Sequence, residues 1–275
     1  FAKQLPENGV EKNRQSGTEI YDPETGGTKY VGGLQEGERV GYDIITAYVF
    51  EGVYKTQADI DAHEGRIVEF ATKKDTRFLG DAIWKDLNGD NVINYLDRVV
   101  LGRRTPDFTG GFTSDFSYKN FNLYVKTDFT LGHYLINGRR VKGIAQTQGN
   151  QNGPLEIRDT WTPDNPDADI PIFTLVDRQR NHLAAGYDQG SMDQSSSRMW
   201  EKGDYLALRE VTISYNLDGK IVNDVVKNMR IYLSGANLAY FNGFSGSSPE
   251  ESGDGIDYGR FPLPRTITLG VNVNF

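Results

Sequence analysis

The sequence predicts an all-β protein of antiparallel strands, of the kind that form a transmembrane β-barrel, joined by long polar loops. Three features predict this: an alternating strand over residues 265–275, an alternating hairpin over 108–131 and a long polar stretch over 133–200. No apolar run approaches the about 20 residues that a membrane helix needs, whereas barrel strands are short and alternate apolar with polar side chains.

Composition narrows the functional classes. Of 275 residues, 37% are hydrophobic and 12% aromatic, and 31 are Gly, a mixture that suits strands and polar loops better than helical bundles. The net charge of −8 disfavours a nucleic-acid partner. The chain has no Cys, which excludes disulfides, a thiolate nucleophile and a cysteine-based zinc site. It begins at Phe1 without a signal-peptide pattern, so we expect an internal or C-terminal piece of a longer protein.

The first third of the chain predicts short elements. Residues 17–21 and 28–31 flank a segment with turn chemistry, 22–27, and are predicted to form a hairpin. Residues 40–50 are aromatic and β-branched, which favours a strand. Thr56 is predicted to cap a short helix, with Asp59 as its capping-box partner.

Longer strands follow. Residues 108–118 and 121–131 predict the best hairpin of the chain, with its turn at Lys119-Asn120. Strands are also predicted over 205–217, with a bulge near Glu210 where the apolar parity switches, and over 229–239. In the terminal strand the apolar side chains occupy 267, 269, 271, 273 and 275, and the intervening ones are small or polar.

The terminal strand alone leaves two alternatives open. Its apolar face suits the core of a soluble sandwich or the lipid-facing side of a barrel, and taken alone the pattern favours the sandwich. The segment 133–200 reverses that preference, because such a long loop is improbable inside one compact soluble domain and ordinary on the outer rim of a large barrel.

The chain resembles the C-terminal part of SusC-like TonB-dependent outer-membrane transporters of Bacteroidetes (the SusC/RagA family). The resemblance runs from about residue 40 to the end and is specific only in combination. Its motifs are Val40-Gly41-Tyr42 with 52–54 and 57–60, Lys85-Asp86-Leu87-Asn88-Gly89-Asp90 with 97–102, Thr105-Pro106-Asp107-Phe108 with 109–112 and 117–121, 205–215, and 264–275.

The resemblance implies a 22-stranded barrel whose strands cross the outer membrane many times. Residues 1–275 would be its C-terminal portion, with residues 84–102 as an extracellular insertion. It also implies partners: the plug and the remaining barrel strands, TonB acting through the missing N-terminal part, a SusD-like surface lipoprotein and the lipid bilayer. The implied substrates are oligosaccharides or peptides, and the implied role is nutrient uptake without catalysis.

Residues 86–97 predict a structural Ca²⁺ site. Asp86, Asn88, Asp90, Val92 and Asp97 occupy positions 1, 3, 5, 7 and 12 of a twelve-residue loop, where side-chain oxygens and the Val92 carbonyl would bind the ion. Asn91 replaces the usual Gly at position 6, although Asn tolerates left-handed geometry. The alternative is a solvated acidic loop held by Asx-turns.

The histidines and the aromatic residues give weaker functional predictions. His63, His133 and His182 have no partner at metal-ligand spacing and are predicted to be surface or loop residues. Aromatic residues near strand ends or in loops are expected to form interfacial belts, with stacking of lumen-facing rings on sugars as the alternative. They are Trp161, Trp200, Tyr205, Phe241, Phe244 and Tyr258.

Two functions remain open at this stage. The first is part of an outer-membrane nutrient importer of the SusC-like class. The alternative is a soluble, secreted, calcium-stabilised all-β module that binds glycans. No nucleophile and base pair supports a hydrolase.

Overall fold

The computed structural model describes residues 17–33, 41, 43–71, 73–145, 153–174, 196–218, 226–250, 254–259, 261 and 263–274. The chain divides into two compact units. The first comprises residues 1–105, 134–201 and 251–259, and the second comprises 106–133, 202–250 and 260–275.

The first unit is made of short elements. These are β1 (Thr18–Asp22), β2 (Gly27–Val31), β3 (Ile44–Tyr48), β4 (Phe50–Val53), α1 (Gln57–Asp61), β5 (Ile67–Val68), β6 (Ala82–Trp84), β7 (Val92–Ile93) and β8 (Arg98–Arg103). Strand β1 pairs with β2, β3 with β8 and β4 with β6, all antiparallel, and β5 pairs with β7 in parallel.

Two local predictions for this unit are confirmed. The hairpin of β1 and β2 pairs Thr18 with Val31 and Asp22 with Gly27 around the expected turn. Thr56 caps α1 with a full capping box, because its hydroxyl accepts from the Asp59 amide and the Asp59 carboxylate accepts from the Thr56 amide.

The second unit is a five-stranded antiparallel sheet. Two of its strands, β9 (Phe108–Tyr118) and β10 (Phe121–Leu131), form the predicted hairpin. In chain order there follow β11 (Tyr134–Asn137) and α2 (Gly138–Ala145) of the first unit, β12 (Trp200–Lys202) at the boundary of the two residue ranges, β13 (Tyr205–Asp218) and β14 (Asn228–Asn242) of the second unit, β15 (Ile256–Asp257) of the first and β16 (Thr266–Asn274) of the second. The sheet order is β16-β14-β13-β10-β9. Phe275, which ends the predicted terminal strand, lies outside the described residues.

The segment 133–200, expected as one long loop, is partly folded. Its described residues form β11, α2 and two 3₁₀ turns at Leu155–Asp159 and Ser197–Met199. They contribute to a buried cluster in the first unit: Ile45, Ala47, Ile136, Val141, Ile144, Met199 and Trp200. Scattered apolar residues separated by polar runs build this core, which explains why no periodic pattern revealed it. No helix of the described residues is long and apolar enough to cross a bilayer.

The predicted bulge is confirmed. Lys126 and Thr127 of β10 face Glu210 and Leu208 of β13, which leaves Arg209 as an extra residue in β13. An extra residue shifts the alternation by one position, so Leu206 and Leu208 share a face with Val211 and Ile213. The bulge therefore keeps one face of β13 apolar along its whole length.

A close approach in β14 and β16 yields the first prediction. Gly270 lies opposite Tyr232, and a Cβ at position 270 would collide with the Tyr232 ring. Gly270→Ala should therefore lower the unfolding free energy of the full-length protein in lipid vesicles by about 1–3 kcal/mol. In a Tyr232→Ala background the same change should have much less effect, which urea titration of all four forms would measure. Equal losses in both backgrounds would contradict the close packing.

Candidate functional site: a two-faced sheet, an acidic loop and an arginine cluster

The pairing register sorts the side chains of the five-stranded sheet into an apolar face and a polar face. One row on the apolar face crosses all five strands: Phe116, Leu123, Ile213, Leu233 and Leu269. These side chains are 38% to 74% exposed. A neighbouring row repeats the pattern with Tyr118, Phe121, Tyr215, Ile231 and Val271.

Rows on the polar face are of the opposite character. One contains Asp115, Tyr124, Thr212, Ser234 and Thr268, and another contains Thr113, Lys126, Glu210, Ala236 and Thr266. The charged residues Asp115, Lys126, Asp128, Glu210 and Arg230 all occupy polar-face positions. A large apolar patch free of charge is unstable in water, whereas acyl chains would cover it.

Aromatic side chains mark the two ends of the apolar face. Tyr118 and Phe121 flank the short turn between β9 and β10, and Phe108 and Phe241 lie at the opposite end of the sheet. All four are more than half exposed. The 11 residues of β10 between these levels match the about 9–11 that a tilted strand needs to cross a bilayer.

Three of the six aromatic residues expected in an interfacial belt are buried rather than exposed. Trp161, Trp200 and Phe244 are buried, and Trp200 belongs to the core cluster of the first unit. Phe241 is exposed at a strand end as expected. The parity of the aromatic residues in β9 and β10 was the signal that would have identified the belt.

The histidines also differ in part from expectation. His133 lies in the loop between β10 and β11, in agreement with the prediction of a surface or loop residue, but it is buried, with its Nε2 3.3 Å from the Pro249 carbonyl oxygen. His63 is partly buried against the Tyr54 ring, with 5.5 Å between ring centroids. His182 lies outside the described residues.

The acidic loop is organised around its own backbone. The Asp86 carboxylate accepts hydrogen bonds from the amides of Gly89 at 2.7 Å and Asn91 at 2.8 Å. Asn88 accepts from the Asp90 amide at 3.2 Å, and Asp90 accepts from the Val92 amide at 2.7 Å. These are the Asx-turns of the alternative interpretation.

Two features of the loop suit a cation. Asn91 adopts φ 62°, the left-handed geometry that position 6 requires. Asp97 is 0% exposed and accepts from the amides of Leu87 at 2.8 Å and Asn94 at 2.9 Å. Burial raises the pKa of Asp97, and the nearby carboxylates of Asp86 and Asp90 raise it further. The hydrogen bonds from the amides of Asn94 and Leu87 lower this pKa and offset part of the increase.

The side chains of the acidic loop do not form a ligand shell in this structure. Across the described ranges, no three His, Cys, Asp or Glu side chains converge on one point that could hold a metal. Asp86, Asn88, Asp90 and Asp97 therefore fit Ca²⁺ by chemistry and order along the loop, and their carboxylates would have to turn towards a common centre to bind it.

The third feature is a cluster of side chains around one arginine, Arg209, on the polar face. Arg209, the bulge residue, makes a two-point ion pair with Asp128, through Nε to Oδ1 and through Nη2 to Oδ2 at 2.8 Å. Its Nη2 also lies 2.6 Å from Glu250 Oε1. The guanidinium lies near the rings of Tyr205 and Tyr240, which stack with 5.1 Å between centroids. The bulge thus places the Arg209 side chain at the centre of a charged cluster on the polar face.

A sheet with one exposed apolar face and one polar face fits the wall of a membrane β-barrel. Comparison with known proteins agrees. No protein-family model matches the chain. The chain is 33% identical over 243 residues to TonB-dependent receptor P26 of Formosa agariphila. This alignment covers 84% of this chain and 22% of that protein. It is 28% identical over 254 residues to TonB-dependent receptor P3 of the same organism, covering 88% and 23% respectively.

Solved structures show the same fold. The structure of the RagAB peptide transporter superposes with a TM-score of 0.62 at 19% identity, covering 94% of this chain and 24% of that chain. The RagAB peptide importer in the open-open state gives 0.61 at 18% identity, covering 100% and 25%. The chain spans about a quarter of the length of the relatives it matches. The chain belongs to the family of TonB-dependent receptors, and it has the fold of a segment of their outer-membrane β-barrel.

The two-faced sheet yields a prediction from adjacent residues. Leu269→Arg, on the apolar face, should lower the unfolding free energy of the full-length protein in lipid vesicles by about 2–4 kcal/mol, because it places a charge in lipid. Thr268→Arg, one residue away on the polar face, should change it by less than about 0.5 kcal/mol. Equal effects of the two substitutions in urea titrations would show that the faces do not differ in environment.

Asp97 yields a prediction on pH. Because its pKa is raised by folding, the folded loop holds the Asp97 proton more tightly than the unfolded chain does. The penalty for the buried charge is complete at neutral pH and is relieved as the pH falls through the raised value towards the ordinary carboxyl pKa of about 3.9. With a chelator present, hydrogen exchange of peptide 86–97, relative to Asp97→Asn, should therefore slow as the pH falls. A constant difference across this range would contradict the raised pKa.

Proposed function

We propose that the full-length protein containing this chain is an outer-membrane nutrient importer, and that the five-stranded sheet is part of its barrel wall. The observation that carries the proposal is the register, which aligns apolar side chains across five strands on one face and polar side chains on the other. The named relatives are TonB-dependent receptors and a peptide importer rather than enzymes. The soluble glycan-binding alternative requires the apolar face to be packed in a core, and that face is exposed.

The proposal extends to the energy source and the partners. The matched relatives are named for TonB, so we assign energy from TonB, delivered through parts of the protein outside residues 1–275. We also assign the remainder of a barrel of about 22 strands with its plug, and a SusD-like lipoprotein over the outer mouth. Within the described residues, β9 and β16 form the two edges of the sheet, which supports the first of these, because an unpaired strand edge is not stable in lipid.

Transport is tested with labelled substrates in cells. A strain lacking the full-length protein should lose uptake of either fluorescent oligosaccharides or fluorescent oligopeptides, and collapse of the proton-motive force should cause the same loss in the parent strain. The protein, extracted in detergent, should copurify with a surface lipoprotein. Unchanged uptake of both probe classes in the deletion strain would overturn the importer assignment.

The acidic loop supports a second proposal, a structural Ca²⁺ ion. We assign side-chain oxygens of Asp86, Asn88, Asp90 and Asp97 and the carbonyl of Val92 as its ligands. The support is the oxygen-only donor set, the left-handed Asn91 and the buried Asp97. A bound divalent cation would stabilise the ionised form of Asp97 and stiffen the loop.

The calcium proposal has its own measurement. Millimolar Ca²⁺ should slow hydrogen exchange of peptide 86–97 in the full-length protein, and Asp86→Asn should remove most of that protection, because it removes a charged ligand. Asp75→Asn, an exposed acidic residue outside the loop, serves as the matched control and should keep it. Exchange that is insensitive to Ca²⁺ would leave the Asx-turn loop as the correct description.

A further inference from the structure

A cavity of about 260 Å³ lies at one end of the five-stranded sheet. There β14 continues to Asn242, opposite Tyr205 of β13, whereas β16 pairs with β14 only as far as Thr266 opposite Ala236. Pro264 precedes the strand and has no N–H for a ladder, which explains why β16 starts there. The notch between β14 and the segment before β16 opens the cavity.

Two polar side chains that line the cavity are held by the local backbone. Asn242 Oδ1 accepts from the Phe244 amide at 3.0 Å, and Ser248 Oγ accepts from the Glu250 amide at 3.2 Å. These bonds leave the Asn242 amide N–H groups and the Ser248 hydroxyl proton able to donate to a ligand.

The charged residues of the lining differ in their partners. Arg209 and Glu250 both line the cavity and pair with each other, and Arg209 pairs with Asp128 as well. Arg265, immediately before β16, also lines the cavity and is exposed. Within the described part of the chain it makes no hydrogen bond or ion pair. Its guanidinium offers five N–H donors in a planar fork that matches a carboxylate.

We propose that this cavity binds a carboxylate group of the transported substrate, with Arg265 as its charged partner and Asn242 and Ser248 as neutral donors. The inference rests on the proposed importer function and narrows its substrate to acidic oligomers. The Tyr240 ring and Leu263 supply apolar surface beside the carboxylate. An acidic peptide and a uronic-acid oligosaccharide share this chemistry.

Calorimetric titration of the purified full-length protein tests the proposal with four probes. Tetraglutamate is compared with C-terminally amidated tetraglutamine, and tetragalacturonate with neutral tetragalactose. One acidic probe should bind at least about tenfold more tightly than its neutral match, because a charge-assisted pair is added. Which acidic probe shows this preference assigns the carboxylate to a peptide or to a glycan.

Variants connect that preference to the cavity. Arg265→Gln should reduce the acidic probe to the affinity of its neutral match. Arg230→Gln removes the same charge from β14 at the other end of the sheet, outside this cavity, and should leave the preference intact. No acidic preference, or one that survives Arg265→Gln, would overturn the inference. Failure of the importer function would appear separately, as unchanged uptake in the deletion strain.

Discussion

The structure of the sheet depends on one constraint: every strand must send its apolar side chains to the same face as its neighbours do. A slip of one residue would move a whole strand's apolar set to the polar face. The register from Phe116 through Ile213 to Leu269 satisfies this constraint across five strands. Arg209 is the residue inserted in β13, where the apolar parity of that strand would otherwise have been lost, and β14 has two residues, Asn237 and Leu238, opposite it.

The same constraint explains where charge is found. Charged side chains of the sheet occupy its polar face, and the bulge residue Arg209 is held there by Asp128 and by Glu250 from the loop after β14. Because Arg209 is saturated, it fixes the loop that carries Glu250 rather than attracting a ligand. Arg265, which has no such partners among the described residues, lines the same cavity and is available to an anionic group.

Strand periodicity made the sheet predictable from sequence. The hairpin of β9 and β10, the bulge before Glu210 and the alternation of β16 all follow from the period of two, and the capping box at Thr56 follows from its local hydrogen-bonding chemistry. The first unit was not predictable in this way. Its core joins Ile45, Ile136 and Trp200, which are distant in sequence and belong to elements too short to show a period.

The candidate sites also differ in how far the sequence predicted them. The acidic loop was visible as a spacing of oxygen ligands, and the structure adds that its carboxylates are engaged by backbone amides. The interfacial aromatics were predicted near strand ends or in loops; those in loops, Trp161 and Phe244, are buried, whereas Phe241 at a strand end is exposed. The Arg265 cavity was invisible in the sequence, because it arises where β16 stops short of the end of β14.

Spin labelling tests the central claim most directly. Single cysteines introduced at positions 266–273 of the full-length protein, in a cysteine-free background and reconstituted in lipid vesicles, would carry nitroxides along β16. The account predicts a period of two: labels at 267, 269, 271 and 273 relaxed mainly by oxygen dissolved in lipid, and labels at the intervening positions relaxed mainly by a water-soluble nickel complex. Equal accessibility at odd and even positions, or the opposite phase, would contradict it.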